Sequence, residues 1–255
     1  MNLSDLRIIV TGGASGMGRH FTLELAKAGA KVLCADLNES GLEETLGAAK
    51  GLAGEVVPFK ANVAKEEDVV AMVAEGAKAF GSINGLVNNA GIFRDGLLVK
   101  KDRNTGAIKK MSLANWQAVI DVDLTGPFLC TREVAAHMIE NDVKPGVIVN
   151  ISSVSRAGNI GQSNYSAAKA GLVADTKLWS GELSRYGIRV GAIAPGFIRT
   201  PILEGMREDA LNKMLSGVPM KRVGEPQEIF LGVKFIVECD YFTGRCLDID
   251  GGLYV

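Results

Sequence analysis

Short apolar segments alternate with longer amphipathic segments along nearly the whole chain. The apolar segments predict strands over residues 6–10, 31–35, 55–59, 85–87, 146–151, 188–194 and 246–249. Several of them are continuously apolar, which is typical of strands buried on both faces of a parallel sheet. The amphipathic segments predict helices over residues 17–29, 39–50, 65–80, 112–140, 163–186 and 226–238. This alternation predicts an α/β fold, a doubly wound parallel sheet flanked by helices.

Two segments interrupt the alternation. Residues 94–112 are polar, and residues 102–106 (DRNTG) predict a turn between two short arms. Residues 196–225 predict a substrate loop that carries a short helix. Both follow predicted strands at the carboxyl edge of the sheet, where open α/β folds bind ligands. Since no linker, repeat or low-complexity stretch divides the chain, we predict a single domain over residues 1–255.

Composition excludes several classes of function. The chain has 255 residues, of which 47% are hydrophobic and 22% charged, as in ordinary globular proteins. A formal net charge of −1 and the absence of a basic stripe argue against nucleic-acid and membrane-surface partners. No window approaches the roughly 18 apolar residues of a membrane span, and no signal peptide is recognisable. Four scattered cysteines without a CxxC pair predict reduced thiols, no disulfides and no metal site, so we expect a cytoplasmic protein.

A glycine-rich turn joins the first predicted strand to the first predicted helix. Gly12, Gly16 and Gly18 have the spacing GxxxGxG, and Ser15 and Met17 lie between them. Glycines let the backbone turn sharply and approach a pyrophosphate, whose charge then rests on the amides of the helix N-terminus. The strand–turn–helix context predicts the dinucleotide site of a Rossmann-like fold.

Asp36 ends the second predicted strand, and Leu37 follows it. A carboxylate at this position can accept hydrogen bonds from the ribose hydroxyls of adenosine and would repel a 2′-phosphate. No Arg or Lys lies between Gly12 and Gly18 to offset that repulsion. We therefore predict that NAD(H) is preferred over NADP(H); the alternative is that Asp36 only caps the helix that begins near Asn38.

Tyr165 and Lys169 are four residues apart in a predicted helix, so their side chains share one face. A tyrosine ionises near pH ~10, and an adjacent ammonium, helped by the positive ring of an oxidised nicotinamide, lowers that pKa. Tyr165 can then give a proton to a carbonyl oxygen or take one from an alcohol. An isolated tyrosine–lysine pair of this kind can also lie on a solvent-exposed helix face without any catalytic role. The dinucleotide motif in the same chain favours the catalytic interpretation.

The chain resembles the short-chain dehydrogenases/reductases over essentially its full length. The motifs that carry the resemblance are Thr11-Gly12 through Gly18, Asn88-Asn89-Ala90-Gly91, Ser153 with Tyr165 and Lys169, Pro195-Gly196, and Asp250-Gly251-Gly252. The resemblance implies hydride transfer between a nicotinamide cofactor and a ketone or secondary alcohol. It also implies a homotetramer packed through long helices and the C-terminal strand, with which the aliphatic C-terminus is compatible.

The residues and the resemblance together predict a set of site residues. The predicted catalytic residues are Ser153, Tyr165, Lys169 and Asp123. The predicted cofactor-binding residues are Gly12, Ser15, Gly16, Met17, Gly18, Asp36, Leu37, Asn62, Val63, Asn89, Ala90, Gly91, Tyr165, Lys169, Pro195, Gly196, Ile198 and Thr200. In the family, the lysine binds the nicotinamide ribose, and the Ile198 backbone and Thr200 hydroxyl correspond to groups that hold the nicotinamide amide.

Two positions depart from the family pattern and one is ambiguous. Asp123 stands where the family has the asparagine of a proton relay; it either serves that relay as a carboxylate or only shapes its helix. Asn62 replaces an aspartate that contacts adenine, and its amide oxygen can accept the same hydrogen bond. The catalytic serine can be assigned in two ways. The strand motif selects Ser153, whereas the family's usual spacing from the tyrosine selects Ser152. We favour Ser153, because strand register fixes the direction of a side chain.

Substrate choice stays open between several classes. The segments around Arg94-Asp95 and Pro195-Gly196 look most like the 3-oxoacyl-[acyl-carrier-protein] reductase branch, although Asp36 runs against the NADPH preference common there. The alternatives are a dehydrogenase of another secondary alcohol (a cyclic alcohol, a steroid or a sugar) and an inactive NAD-binding regulatory protein. The basic part of the insert, residues 99–110, would contact an acidic carrier or a thioester's phosphate, or form a subunit contact, which we favour.

His20 and His137 lie in predicted helices without metal-ligand spacing and are expected to be structural.

Overall fold

The computed structural model describes residues 1–200, 211 and 214–253. Its strands are β1 (Arg7–Thr11), β2 (Lys31–Asp36), β3 (Glu55–Lys60), β4 (Gly85–Asn88), β5 (Val99–Lys101), β6 (Ile108–Lys110), β7 (Gly146–Ile151), β8 (Ile188–Pro195) and β9 (Cys246–Ile249). Its helices are α1 (Gly16–Lys27), α2 (Glu39–Ala48), α3 (Glu66–Phe80), α4 (Leu113–Ile120), α5 (Gly126–Glu140), α6 (Ser163–Leu183) and α7 (Pro226–Glu238). The predicted elements are therefore present, with ends that differ by at most three residues, except that the helix predicted over residues 112–140 is divided into α4 and α5.

Seven of the strands form one sheet in the order β3-β2-β1-β4-β7-β8-β9, and every neighbouring pair is parallel. Along β1, Ile8 and Val10 face one layer of helices and Ile9 faces the other, because successive side chains of a strand point to opposite faces. Helices α1 and α7 cover the Ile8 side, and α3, α5 and α6 cover the Ile9 side. This arrangement confirms the predicted doubly wound α/β fold.

The strand order reverses between β1 and β4. In open α/β sheets this reversal leaves a crevice at the carboxyl ends of the strands, and ligands bind there. The glycine-rich turn follows β1, and the Asn89-Ala90-Gly91 segment follows β4. The topology thus brings the glycine-rich turn and the Asn89-Ala90-Gly91 segment to the two sides of one crevice.

The insert after β4 contains an antiparallel hairpin. Strands β5 and β6 pair in the register Val99↔Lys110, Lys100↔Lys109 and Lys101↔Ile108. Asp102 fixes the turn, because its carboxylate accepts the Asn104 and Thr105 N–H groups, each at 3.0 Å. The predicted turn at residues 102–106 is therefore confirmed.

The predicted helix over residues 112–140 is divided. Residues Asp121–Thr125 form a π-helical turn between α4 and α5. Pro127, near the start of α5, has no N–H to donate to the carbonyl of Asp123 four residues earlier, so the regular hydrogen-bond ladder is broken here. The wide turn carries Asp123 and points its side chain into the protein interior.

Part of the predicted substrate loop lies outside the described residues, and with it most of the short helix expected there. Residues 196–200 and 214–225 are described, as is Leu253, whereas Tyr254 and Val255 of the aliphatic C-terminus are not. In the described part of the chain, no helix is both long enough and apolar enough to cross a membrane.

Candidate active site

The glycine-rich turn has the geometry of a phosphate cradle. Gly12 and Gly16 adopt positive φ angles of 69° and 52°, which other residues rarely do. A side chain on Gly18 would lie 2.1 Å from the carbonyl oxygen of Gly12, so only glycine allows this close approach. Helix α1 begins at Gly16, after Ser15, and its free N–H groups face the turn. The turn therefore fits the pyrophosphate of a dinucleotide, as the motif predicts.

The Asn89-Ala90-Gly91 segment holds this turn from behind. The Asn89 side chain donates to the carbonyls of Thr11 and Gly12 at 3.0 and 3.3 Å. The Thr11 hydroxyl accepts the N–H groups of Asn89 and Ala90, both at 3.1 Å. The two sides of the crevice are thus joined by hydrogen bonds at the ends of β1 and β4. Asn89 supports the cradle rather than pointing into it.

Asp36 lies beside the cradle at the end of β2. Its two carboxylate oxygens accept the N–H groups of Ala14 and Asn38, each at 3.0 Å. Helix α2 is capped by Asn38, whose side chain accepts the Gly41 N–H, so Asp36 is not the helix cap. Its carboxylate lies next to the turn that would hold the adenosine phosphates, and the Leu37 side chain beyond it is half exposed.

Arg19 brings a cation to this region that the motif analysis overlooked. Its guanidinium donates to the carbonyl of Ala14, to Gly41 and to the hydroxyl of Thr45, and it pairs with Glu44 at 2.8 Å. The prediction considered only positions between Gly12 and Gly18, and Arg19 lies one residue beyond. The Glu44 carboxylate balances the charge of Arg19. The hydrogen bonds of Arg19 hold α1 and α2 against the glycine-rich turn.

Asn62 and Val63 lie beyond β3, on the adenine side of the crevice. The Asn62 amide oxygen accepts the Ala64 N–H at 3.0 Å, and the Asn62 N–H donates to Asp68 at 2.8 Å. The Val63 side chain is buried against Gly126, where an added Cβ would lie only 2.9 Å from it. One hydrogen-bonding site of the Asn62 oxygen is therefore already used, and the second remains for a ligand.

The segment after β8 folds back toward the glycine-rich turn. Gly196 passes close to Asp250, where an added Cβ would lie 2.7 Å from the Asp250 Cα. Ile198 is buried and forms a parallel bridge with Gly224. The Thr200 methyl group lies 3.7 Å from the position of a Cβ on Gly16. Thr200 is thus adjacent to the phosphate cradle, whereas Gly196 and Ile198 contact Asp250 and Gly224.

Tyr165 and Lys169 lie in the first two turns of α6. The Lys169 Nζ is 5.4 Å from the centre of the Tyr165 ring and donates to the carbonyl of Ile151 at 3.1 Å. The ring of Phe93 packs on the tyrosine at 4.6 Å between centroids. Tyr165 and Lys169 are only 8% and 3% exposed. The pair is therefore buried among Ile151, Asp123 and Phe93 and is not a solvated helix face.

The two candidate serines point in different directions. The Ser152 hydroxyl is buried and donates to the carbonyl of Lys169 at 2.8 Å. The Ser153 hydroxyl accepts the Ser155 N–H at 3.1 Å and lies beside Tyr165, where its interaction with the phenol acts to lower the pKa of that tyrosine. Strand register explains the difference, because consecutive residues of β7 and its extension face opposite sides of the sheet. The geometry places Ser153, not Ser152, beside the tyrosine.

Asp123 lies next to Lys169. Its side chain is fully buried, with one oxygen 3.3 Å from the Lys169 Nζ and the other accepting the Ile92 N–H at 2.9 Å. A Cβ on Gly91 would lie 2.8 Å from the same carboxylate, so glycine makes room for it. The residue that departs from the family pattern is thus in direct contact with the lysine and not merely part of its helix.

The charges of this cluster shift the pKa values of its members. Burial raises the pKa of Tyr165 above its ordinary value; the Lys169 ammonium opposes this, and the Asp123 carboxylate adds to it. Burial would lower the pKa of Lys169, but Asp123 and Tyr165 outweigh it and the net shift is upward. The ammonium lowers the pKa of the tyrosine as predicted, but desolvation of the buried phenol acts in the opposite direction and is larger. The tyrosine in this structure therefore favours the protonated form.

Asn164 is a further site residue that the sequence analysis did not single out. Its side chain is fully buried and donates to the carbonyls of Arg94 and Asn115, both at 3.1 Å, while its oxygen accepts the Tyr165 N–H at 2.8 Å. It ties the segment after β4 and the start of α4 to the tyrosine. Its position next to Tyr165 was the available signal, but its partners are far away in sequence.

The two histidines lie away from this cluster. His20 pairs with Gln227 at 2.9 Å between α1 and α7, and the Nε2 of His137 accepts the Ile83 N–H at 3.1 Å. Burial lowers the pKa of His137, in keeping with a neutral ring. Within residues 1–200 and 214–253, no group of His, Cys, Asp and Glu side chains is arranged to hold a metal ion.

The fold and the cluster together define the class of protein: a nicotinamide-dependent oxidoreductase with a buried tyrosine–lysine pair beside a dinucleotide cradle. Residues 7–211 match the family described as short chain dehydrogenase. The chain belongs to the short-chain dehydrogenase family, and it is an oxidoreductase acting on ketone or alcohol groups.

Three relatives illustrate the similarity. The 3-oxoacyl-[acyl-carrier-protein] reductase FabG of Thermotoga maritima is 41% identical over the full length of both chains. The 3-oxoacyl-[acyl-carrier-protein] reductase of Synechocystis is 39% identical over 96% of this chain and 95% of its own. The (2S)-[(R)-hydroxy(phenyl)methyl]succinyl-CoA dehydrogenase subunit BbsD of Thauera aromatica is 37% identical over 99% of this chain and 98% of its own. These names support the predicted likeness to the 3-oxoacyl thioester branch.

Proposed function

We propose that this protein reduces the keto group of a 3-oxoacyl thioester, with NADH as the preferred reductant. The observation that carries the proposal is the buried cluster of Tyr165, Lys169 and Ser153 beside the phosphate cradle. By their names, two of the relatives above are reductases of 3-oxoacyl carrier-protein thioesters and the third is a dehydrogenase of a hydroxy-substituted acyl-CoA, which suggests a thioester substrate.

The chain's own residues supply the binding and the proton. When bound, the nicotinamide supplies the hydride. Ser153 holds the carbonyl oxygen by a hydrogen bond, and Tyr165 donates its phenolic proton to that oxygen as negative charge develops on it. Lys169 then stabilises the phenolate. Two of its ammonium protons face Ile151 and Asp123, which leaves the third for the ribose hydroxyls.

The raised pKa of Tyr165 supports reduction as the direction at neutral pH. A carbonyl reductase needs a protonated donor, and burial keeps the phenol protonated. Alcohol oxidation needs the phenolate, which is favoured only at higher pH. Asp123 strengthens this bias, since its charge offsets part of the Lys169 ammonium.

For the cofactor, Asp36 supports NAD(H) over NADP(H). Its carboxylate is next to the turn that would carry the adenosine phosphates, and a 2′-phosphate there would meet a like charge. Arg19 does not reverse this argument, because its guanidinium is paired with Glu44 and hydrogen-bonded to three further groups.

A cytoplasmic homotetramer is proposed for the assembly. Large apolar side chains are exposed on two separate faces, Phe128 and Leu178 on α5 and α6, and Leu231 and Phe235 on α7. Two apolar faces per subunit fit an assembly with two different contacts. The mass of the protein in solution, measured by light scattering, tests this: a monomer would contradict it.

The activity is tested by a screen of 3-oxoacyl thioesters, cyclic ketones, steroids and sugars with NADH and with NADPH. We expect 3-oxoacyl thioesters to be reduced fastest, and with NADH. A Tyr165→Phe variant should bind NADH as the wild type does but lose reduction, whereas Tyr241→Phe, which alters a fully exposed tyrosine, should be unaffected.

Two results of the screen would overturn the proposal. If another class of ketone is the preferred substrate, the protein is a secondary alcohol dehydrogenase of that class. If wild-type protein reduces nothing while binding NADH, it is a regulatory protein that has lost catalysis.

A further inference from the structure

The hairpin formed by β5 and β6 carries an unusual concentration of positive charge. Residues 99–110 contain five basic residues and one acidic residue, in a chain whose net charge is −1. All residues of both strands are exposed. A local excess of positive charge of this size attracts anions. The hairpin follows β4, whereas the phosphate cradle follows β1 on the other side of the crevice.

A pocket of about 190 Å³ opens at the base of this hairpin. Three of its lining residues are lysines, Lys100, Lys109 and Lys110, and Ser112 and Asn115 line its far side. No carboxylate belongs to the described lining. Since phosphate is bound in proteins by ammonium groups and hydroxyls, the lining suits a phosphate group.

The strand register brings two of these lysines together. Lys100 and Lys109 are directly opposite one another across the hairpin, and like charges in that relation destabilise a strand pair. Asp102 neutralises Lys109 at 2.6 Å. Lys100 has no ion-pair or hydrogen-bond partner among the described residues. An anion bound beside Lys100 would relieve the repulsion.

The pocket is connected directly to the proposed active site. Asn164 donates to the carbonyl of Asn115 in the pocket wall and accepts the N–H of Tyr165. At the other edge, Gly96 in the lining donates to the carbonyl of Gly161, four residues before Tyr165. The lysine pocket and the Tyr165 segment therefore share a wall, along which a long substrate bound at Tyr165 can extend to the lysines.

We propose that this pocket binds the phosphate at the end of a pantetheine arm, and that Lys100 is the ammonium group that contacts it. Acyl thioesters of coenzyme A and of carrier proteins share that arm, in which two amide units and a pantoate separate the sulfur from the phosphate. The inference rests on the proposed thioester substrate and names the part of it that the hairpin recognises.

Two substrates that differ by one phosphate test the inference: a 3-oxobutanoyl thioester of pantetheine and the same thioester of 4′-phosphopantetheine. We expect wild-type KM to be about three- to fivefold lower for the phosphorylated substrate, the upper part of the range for an exposed ion pair. In Lys100→Ala the two KM values should become equal, with kcat unchanged. Lys50→Ala, which removes an exposed lysine far from the hairpin, should keep the wild-type difference.

The outcomes separate this inference from the proposed function. Turnover of both substrates with equal KM in the wild type would overturn the phosphate site and leave the reductase intact. Turnover of neither would overturn the proposed function, and the inference with it. If Lys100→Ala raises both KM values equally and reduces the mass of the assembly, the hairpin is a subunit contact and the inference is wrong.

The source of the phosphate is tested with the coenzyme A and carrier-protein thioesters. We expect Lys100→Ala to raise KM for both, because both carry the phosphate. A rise confined to the carrier-protein thioester would show that the hairpin binds the acidic surface of the carrier, which would contradict a phosphate site.

Discussion

The carboxylate of Asp123 and the ammonium of Lys169 form a buried ion pair, with 3.3 Å between Oδ2 and Nζ. The aspartate is fully buried on the π-helical turn, and the lysine lies one helical turn after Tyr165. The family's usual asparagine would leave the charge of the lysine unbalanced. Here the charge of the lysine acts on the tyrosine only after partial neutralisation, so the pKa of Tyr165 depends on Asp123 as well as on burial and Lys169.

Asp123→Asn should move the pH profile to lower pH. The neighbours that affect the pKa of Tyr165 are Lys169, Asp123, Ser153 and Asp95. Without the negative charge of Asp123, less of the effect of the Lys169 ammonium on the phenol is cancelled, so the pKa of Tyr165 falls. Reduction needs the protonated phenol and is lost as pH rises through that pKa. Both the alkaline limit of reduction and the onset of alcohol oxidation should therefore move down.

The measurement is kcat against pH in both directions. Asp121→Asn removes the same charge two residues away on the same turn, where Asp121 pairs with Gln117, and should leave the profile in place. An unchanged or upward-shifted profile in Asp123→Asn would show that the carboxylate does not act on the tyrosine.

The adjacent serines should separate catalysis from stability. Ser153→Ala removes the donor to the reacting oxygen, and kcat should fall by about 10²-fold or more. Ser152→Ala removes a buried hydrogen bond to the Lys169 carbonyl, and the free energy of unfolding should fall by about 1 kcal/mol. Steady-state kinetics and urea unfolding of both variants test this. The reverse pattern would assign catalysis to Ser152.

Asp36→Asn should weaken the preference for NADH. The amide oxygen keeps the hydrogen bond from the Ala14 N–H in the turn, while the negative charge and the hydrogen bond from the Asn38 N–H are lost. We expect the ratio of kcat/KM for NADPH to that for NADH to rise about tenfold, or ~1.4 kcal/mol. Asp36→Ala, which also loses the hydrogen bond, should relax the preference as well and bind either cofactor less tightly.

Glu43→Gln is the matched control for this experiment, because it removes one carboxylate from the exposed face of α2. It should leave the cofactor ratio unchanged. A wild type that already prefers NADPH would contradict the argument from Asp36 before any variant is made.

Gly18→Ala should abolish dinucleotide binding. The new methyl group would lie 2.1 Å from the Gly12 carbonyl, and the turn would have to open. Gly47→Ala is the control in α2, where nothing lies within 4 Å, and it should stabilise the protein by about 0.5 kcal/mol through helix propensity. NADH fluorescence titration and thermal unfolding measure both effects. Normal NADH affinity in Gly18→Ala would exclude the turn as the phosphate site.

Local patterns predicted the elements and motifs of this protein. The parallel strands were recognised because they are buried on both faces, and β7 is apolar at nearly every position. Helix α6 brings Tyr165 and Lys169 together through its own periodicity, and the glycine-rich turn is recognised by its spacing alone. These features depend on residues within a few positions of one another, which is the range over which backbone geometry acts.

The sequence by itself therefore determined the doubly wound sheet, the cradle and the tyrosine–lysine pair. Only the tertiary structure decided that Ser153 rather than Ser152 faces Tyr165, that Asp123 pairs with Lys169, and that Arg19 is already neutralised by Glu44. It also decided that burial outweighs the ammonium in setting the pKa of Tyr165. The physical reason is that charge interactions and desolvation depend on distances through space. Those distances are set only when folding brings distant segments of the chain together.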